Sequence, residues 1–355
     1  MRANKLFSNL TAILASIPTV GRLLLTLLLA FCPMPALAQP VAQGKKDQGL
    51  KTQDVYVAAR SFWKKGALQH LGNGFANSVF VAGNDVYVAG HEPNAQGKDV
   101  ATLWKNGKAQ RLGDEGSWAN SVFVAGKDVY VAGNKTDAKG DSVTILWKNG
   151  VTQYINNFFA NSIFVAGKDV YVAGALSGRA LLWKNGVVQS LSVEGIEDYN
   201  YLDRKARASS VFVSGNDVYV AGTVFLMGGG GTLFATLWKN GVAQRLYGDE
   251  KNNTTEAYSV YVSGNDVYVV GVELDQGRIA TLWKNGVPQR LGSNGDYYIG
   301  ASVFALGDDV YVAGCRYDWV TKKHVVTLWE NGVPQLLSDD MPADYHISSV
   351  SVFVK

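Results

Sequence analysis

The sequence predicts an all-β fold, a seven-bladed β-propeller, and three recurrences carry that prediction. The string DVYV begins at Asp54, Asp85, Asp128, Asp169, Asp217, Asp266 and Asp309. A tryptophan in an LWKNG-like string stands at Trp63, Trp104, Trp147, Trp183, Trp238, Trp283 and Trp329. A run like SVFV begins at Ser78, Ser121, Ser162, Ser210, Ser259, Ser302 and Ser351. Each motif occurs seven times, and the tryptophans lie 36 to 55 residues apart, the period of a four-stranded propeller blade.

Local chemistry justifies each element of one repeat. Ser78–Ala82 is short, apolar and β-branched and reads as a buried strand. Gly83-Asn84 is a two-residue turn with glycine where positive φ is needed. Asp85–Ala89 is the second strand, and a connection of variable length follows. Val100–Lys105 is the third strand, Asn106-Gly107 is a type I′ signal, and Lys108–Leu112 is the fourth strand. The blade is therefore four antiparallel strands. The first DVYV has no SVFV before it, and the last SVFV has no DVYV after it. This matched deficit and surplus predicts ring closure by the C-terminal strand, Ser351–Val354, on the N-terminal partial blade at Asp54–Ala58.

The residues before the repeats read as an address. Arg2, Lys5 and Arg22 precede the apolar stretch Leu23–Phe31, and Ala36-Leu37-Ala38 reads as a small-x-small cleavage site. The expected organisation is a signal peptide over 1–38, a flexible polar lead over 39–53 and the propeller over 54–355. Cys32 offers a lipidation alternative, disfavoured by the bulky Phe31 before it. Of the 33 basic and 30 acidic residues, the leader holds three basic and no acidic ones, so the mature chain has zero net charge. That balance excludes the basic footprint of a nucleic-acid binder. Its single cysteine, Cys315, excludes an intrachain disulfide, and no apolar run of the mature chain reaches membrane-spanning length.

The strings SVFVxGxDVYVAG and LWKNG, taken together, resemble those of exported bacterial repeat proteins that form propellers. The VYVAG strings are loosely similar to YVTN-type propellers. The WD-repeat Gly-His and Trp-Asp pairs, the kelch double glycine and the sialidase Asp box are all missing. The resemblance implies an exported propeller and no particular activity.

Candidate function therefore rests on the residues that vary. The once-per-blade tryptophans are expected to pack between neighbouring sheets. The motif serines have no partner base, which speaks against a nucleophile. The two tight turns fall on one face and the variable connections on the other. The blade-to-blade connections, approximately 72–77, 113–120, 156–161, 192–209, 247–258, 292–301 and 338–350, hold 13 acidic and four basic residues interleaved with aromatics. Phe75, Trp118, Phe159, Tyr199, Tyr258, Tyr297 and Tyr345, with Asp114, Glu250 and Asp340, are the candidate binding rim. Lysines beside the tight turns predict an opposite, basic face. The within-blade stretch TVFLMGGGGTLF predicts either a protruding hairpin, offering Phe225, Leu226, Met227 and Phe234 to a partner, or a segment packed down on a neighbouring blade. Its glycines lack the Lys-Ser or Lys-Thr of a phosphate loop. The four histidines have no ligand spacing, and no catalytic motif appears, so no metal or cofactor is implied. The expected function is a non-enzymatic binding or scaffold propeller for a protein or a glycan. A carbohydrate-active enzyme using rim carboxylates is the alternative.

Overall fold

The computed structural model describes residues 54–59, 61–156, 158–194, 204–226, 231–248, 254–274, 277–292, 297–320, 322–341 and 350–355, with the side chains of 156 and 338–341 left outside the description. The leader over 1–38 and the lead over 39–53 also lie outside it. Among the described residues there are 28 strands in seven four-stranded antiparallel sheets. The chain folds as the seven-bladed propeller expected from its repeats. No helix of the described residues is long and apolar enough to cross a membrane.

The ring closes at the expected seam. Ser351–Val354 forms the inner strand of blade 1, with Ala58 opposite Ser351 and Val55 opposite Val354. Asp54 and Lys355 exchange two backbone hydrogen bonds of 3.0 Å just beyond that pairing. The inner strands of blades 2 to 7 are Phe75–Ala82, Ser117–Ala125, Phe159–Ala166, Arg204–Ser214, Thr254–Ser263 and Tyr298–Leu306. Each touches the next around the circle, and the inner strand of blade 1 touches those of blades 7 and 2.

Sheet faces are buried only where blades meet, so the core is seven separate clusters. The cluster between blades 2 and 3 joins Tyr87, Ala89 and Leu103 to Val122, Val131, Ile145 and Trp147. Every cluster contains one motif tryptophan. Six of these are at most 2% exposed, and Trp183 is 4% exposed, which is the inter-sheet packing the recurrence predicts.

Two further rings, which sequence reading did not assign, sit around the axis. The SVFV aromatic of each blade touches its neighbours: Phe80, Phe123, Phe164, Phe212, Tyr261, Phe304 and Phe353 form a closed belt with centroids 4.6–5.0 Å apart. Tilted contacts at this spacing are the favoured arrangement of aromatic quadrupoles. The motif serines form the second ring. Each Oγ accepts a hydrogen bond of 3.1–3.4 Å from a backbone N–H of the next blade, from Val122 to Ser78 onward until Val79 donates to Ser351. The serines are thus stitches between blades.

The inner strands run further toward the loop face than the sequence indicates. In blades 2 to 7 a bulge precedes the motif serine, as between Ala76 and Ser78, and the ladder continues beyond it to Phe75 opposite His91. The bulge presses the two backbones together. A Cβ added to Gly90 would stand 1.8 Å from the Phe75 carbonyl oxygen, and the five equivalent glycines meet the same conflict at 1.8–2.1 Å. This explains the glycine of VYVAG, which sits at negative φ and is needed for space.

Trp147→Ala is expected to cost about 3–5 kcal/mol, because the site between two blades cannot collapse. Val151→Ser, at a position 70% exposed on an outer strand, is expected to change stability by no more than about 0.5 kcal/mol. Urea unfolding of the two variants checks both values. Gly90→Ala is expected to destabilise far more than Gly97→Ala, although Gly97 has φ +74 and Gly90 does not.

Candidate functional site

The tight-turn face carries a repeated set of polar contacts. Asn106 and Gly107 both have positive φ, as a type I′ turn requires. The Asn106 Oδ1 accepts from the Val86 N–H at 2.8 Å, and its Nδ2 donates to Asp85 Oδ1 at 2.8 Å. Lys105 Nζ lies 2.7 Å from Asp85 Oδ2 and 5.3 Å from the centre of the Tyr87 ring. The set recurs at Asp128–Lys148, Asp169–Lys184, Asp217–Lys239 and Asp266–Lys284. In blades 2 to 6 the lysine beside the tight turn is therefore paired with its DVYV aspartate, so the lysines expected to make a basic face are held in ion pairs. The lysine hydrogen bond is the main cause holding each of these aspartates below the usual carboxylate range, and Lys184 is raised to about 12 chiefly by Asp169. Blade 7 departs from the pattern. Glu330 replaces the lysine, and burial together with Glu330 and Asp309 raises Tyr311 to about 12.

The loop face carries the asymmetry. Three residues before each motif serine, the inner strands of blades 2 to 7 present Phe75, Trp118, Phe159, Arg207, Glu256 and Ile299. One arc of the channel mouth is thus aromatic, and the next is charged. Phe75 stacks on His91 with centroids 4.8 Å apart and planes 6° apart. Burial is the main cause that lowers the His91 pKa, against the opposing pull of Asp99. Trp118 donates from Nε1 to Asp99 Oδ2 at 3.0 Å. Phe159 is 48% exposed. Arg207 stands 3.6 Å from Glu256, whose side chain is 11% exposed. Tyr258 occupies the bulge position of blade 6. Burial pushes its hydroxyl up, Glu256 adds to the shift, and Arg278 and Arg207 oppose it.

Several expected site residues are placed differently. Phe75, Trp118, Phe159 and Tyr258 belong to strands rather than connections, because the bulge lets the ladder continue. Asp114 is 80% exposed and 2.9 Å from Lys135, a pairing of small energetic weight in water. Tyr297 forms an isolated bridge with Arg278. Tyr199, Glu250 and Tyr345 lie outside the described residues, as does the Asp340 side chain.

The protruding hairpin is corrected. Its strands extend to Leu226 opposite Thr232, and Leu226 and Phe234 are 3% and 4% exposed in the cluster between blades 4 and 5. The Arg245 guanidinium lies 3.6 Å above the Phe234 ring. The alternating apolar residues Val224, Leu226 and Phe234 gain more by covering blade 4 than by projecting into water. Phe225 is half-buried, and Met227 lies outside the described residues.

Three groups carry no repeat signal and were missed. Glu273 is fully enclosed and accepts from Arg290 Nε and Nη2 at 2.9 and 2.7 Å and from Thr281 Oγ1 at 3.1 Å. Arg207 and Glu256 pair at the mouth. Tyr317 and Trp319 gather with Tyr297 on blade 7. The placement of Trp319 outside the repeat was the one available signal for the last group.

No protein-family model matches the chain, and no curated protein matches it significantly. Solved structures with the same general architecture include an acylaminoacyl peptidase from Pyrococcus horikoshii, with 13% identity and a TM-score of 0.47 over 81% of this chain and 51% of that one. The Pseudomonas aeruginosa periplasmic gluconolactonase shows 10% identity and a TM-score of 0.45 over 85% of this chain and 98% of that one. The Bombyx mori GH32 β-fructofuranosidase shows 12% identity and a TM-score of 0.35 over 85% and 93%. This chain spans about half the length of the peptidases. These likenesses carry no argument about activity, and the fold rests on the strand topology itself.

The ion-pair circle gives a pH dependence. The aspartate pKa values are lower in the folded chain than the ordinary 3.8. The folded state therefore binds fewer protons than the unfolded chain in that range, and stability falls as the pH drops below about 4. Urea midpoints measured from pH 5 to pH 2 should fall, and the fall should be shallower in an Asp85→Asn, Asp128→Asn, Asp169→Asn variant.

Proposed function

We propose that this chain is an exported recognition propeller that holds a protein or a glycan on its loop-bearing face. One observation carries the reading: the channel mouth breaks the sevenfold repeat with three successive aromatics, Phe75, Trp118 and Phe159, followed by the Arg207–Glu256 pair and Tyr258. The rest of the scaffold spends its conserved-in-repeat chemistry on itself, in tryptophan packing, serine stitches and ion pairs. Aromatic surface bordered by hydrogen-bonding charges is the composition of binding hot spots. Rigid strands hold these side chains in place, so little ordering entropy opposes binding. Delivery across a membrane by the 1–38 leader completes the reading.

The enzymatic alternative asks for two rim carboxylates converging at a pocket. Asp114, the expected carboxylate whose side chain is described, extends into water beside a lysine. No observation favours that alternative.

The test is a glycan-array and protein-partner screen of the purified protein, repeated on a Trp118→Ala, Phe159→Ala, Tyr258→Phe variant. Saturable binding to the parent should be lost in the variant while its thermal unfolding remains cooperative. Undiminished binding to a folded variant would overturn the assignment to the mouth.

A further inference from the structure

We propose that the loop face of blades 6 and 7 carries a subsite for a carboxylate-bearing saccharide, formed by Arg278, Tyr297, Tyr317, Trp319 and Lys322. The proposal rests on reading the loop face as the recognition face, and it names the ligand class and its position there.

The rings come first. Tyr317 and Trp319 lie 4.6 Å apart, and Tyr297 stands 6.0 and 6.2 Å from them. The interplanar angles are 80°, 68° and 84°, so the three rings brace one another edge to face. The carbonyl of Tyr297 accepts from the Tyr317 N–H, and the Tyr298 N–H donates to the Arg278 carbonyl, which ties the two blades together beneath the rings. Trp319 remains 58% exposed on this support, and Val320 beside it is 90% exposed. A large aromatic held in place by its neighbours yet more than half exposed to water is a stacking surface.

The charges decide what stacks there. The Arg278 guanidinium lies 5.6 Å from the centre of the Tyr297 ring, and Lys322 Nζ lies 5.7 Å from that of Trp319. Neither cation has a carboxylate partner among the described residues. Asp318, four residues before Lys322, has Oδ1 engaged by the Val320 N–H within its own turn, and Asp275 and Asp296 lie outside the described residues. Tyr297 and Trp319 thus each hold one of the chain's own cations, which would repel a cationic ligand, while Trp319 keeps exposed surface for stacking. An anion that also presents an apolar face complements these cations and rings. A uronic-acid residue supplies both, with axial C–H bonds for the indole and a carboxylate for the guanidinium fork. Arg278 also opposes the upward shift of Tyr258, the bulge residue of blade 6.

Calorimetry and tryptophan fluorescence of the full protein with tetragalacturonate, its methyl ester and polyglutamate test the proposal. Tetragalacturonate should bind saturably. Binding should weaken about 10-fold to 100-fold on methyl esterification and in Arg278→Gln, the value of a charge-assisted hydrogen bond. Trp319→Ala should weaken it while leaving thermal unfolding unchanged, since the side chain is mostly in water. Equal affinity for the methyl ester, an unaffected Arg278→Gln variant, or polyglutamate binding that ignores Trp319→Ala would each overturn the subsite. No uronate binding, with another ligand lost in the Trp118, Phe159 and Tyr258 variant, overturns this proposal and leaves the loop-face reading standing. A ligand bound elsewhere than the loop face overturns both.

Discussion

The contact between one blade and the next is the interaction on which this molecule depends. A four-stranded twisted sheet has two faces to cover, and no helix among the described residues covers them. Each sheet therefore buries both faces against its neighbours, and no blade is stable alone. Tryptophan bridges each gap midway along the blade, and the Phe80-type belt with the Ser78-type hydrogen bonds joins the blades at the axis. Because every blade needs two neighbours, the chain needs closure. The pairing of Ser351–Val354 with Val55–Ala58 supplies it by giving the first DVYV strand the inner partner that its own repeat lacks.

The same constraint divides the two ends of the ring. At the tight-turn end, each blade satisfies its own polar groups, with Asp85, Lys105, Asn106 and Tyr87 locked into one local set. Surface ion pairs of this kind contribute little energy individually. At the loop end, the bulge before each motif serine frees the inner strand from the repeat. The strand there is held by its ladder and by the close approach of Gly90 to Phe75, so the side chain at the Phe75 position varies without cost to the ring. Rigid backbone with free choice of side chain is what a recognition surface needs.

The fold was legible because it is written seven times. DVYV, LWKNG and SVFV fix strand, turn and strand, and the closure follows from their order. The candidate site was half legible. Trp118 and Phe159 stand out as aromatics at the edge of a repeat, but the bulge that puts them on strands leaves no composition signal. Glu273 and Arg290 are 17 residues apart and face each other only because two strands of blade 6 bring them together. The hairpin from Thr223 to Phe234 misled for a definite reason: four glycines mark a turn, and they do not say how far the flanking strands run. Val224, Leu226 and Phe234 alternate onto the face toward blade 4, and burial of that face decided the outcome.

In a molecule built this way, departures from the repeat carry the functional information. Arg207, Glu256 and Tyr258 each occupy a position that blades 2 to 4 fill with an aromatic or an asparagine. Asn77, Asn120 and Asn161 show what the asparagine does: each Nδ2 donates to a carbonyl of the next blade at 2.7–3.0 Å. Tyr258, like Ser209 and Ala301 at the same position, is not an asparagine, and the ring holds because seven inter-blade clusters, a belt of aromatics and the serine hydrogen bonds fix the geometry regardless. The redundancy of a sevenfold scaffold is thus what permits an asymmetric mouth. Stability is distributed over interchangeable contacts, so a few blades can surrender theirs to charge and aromatic surface that the fold itself does not use.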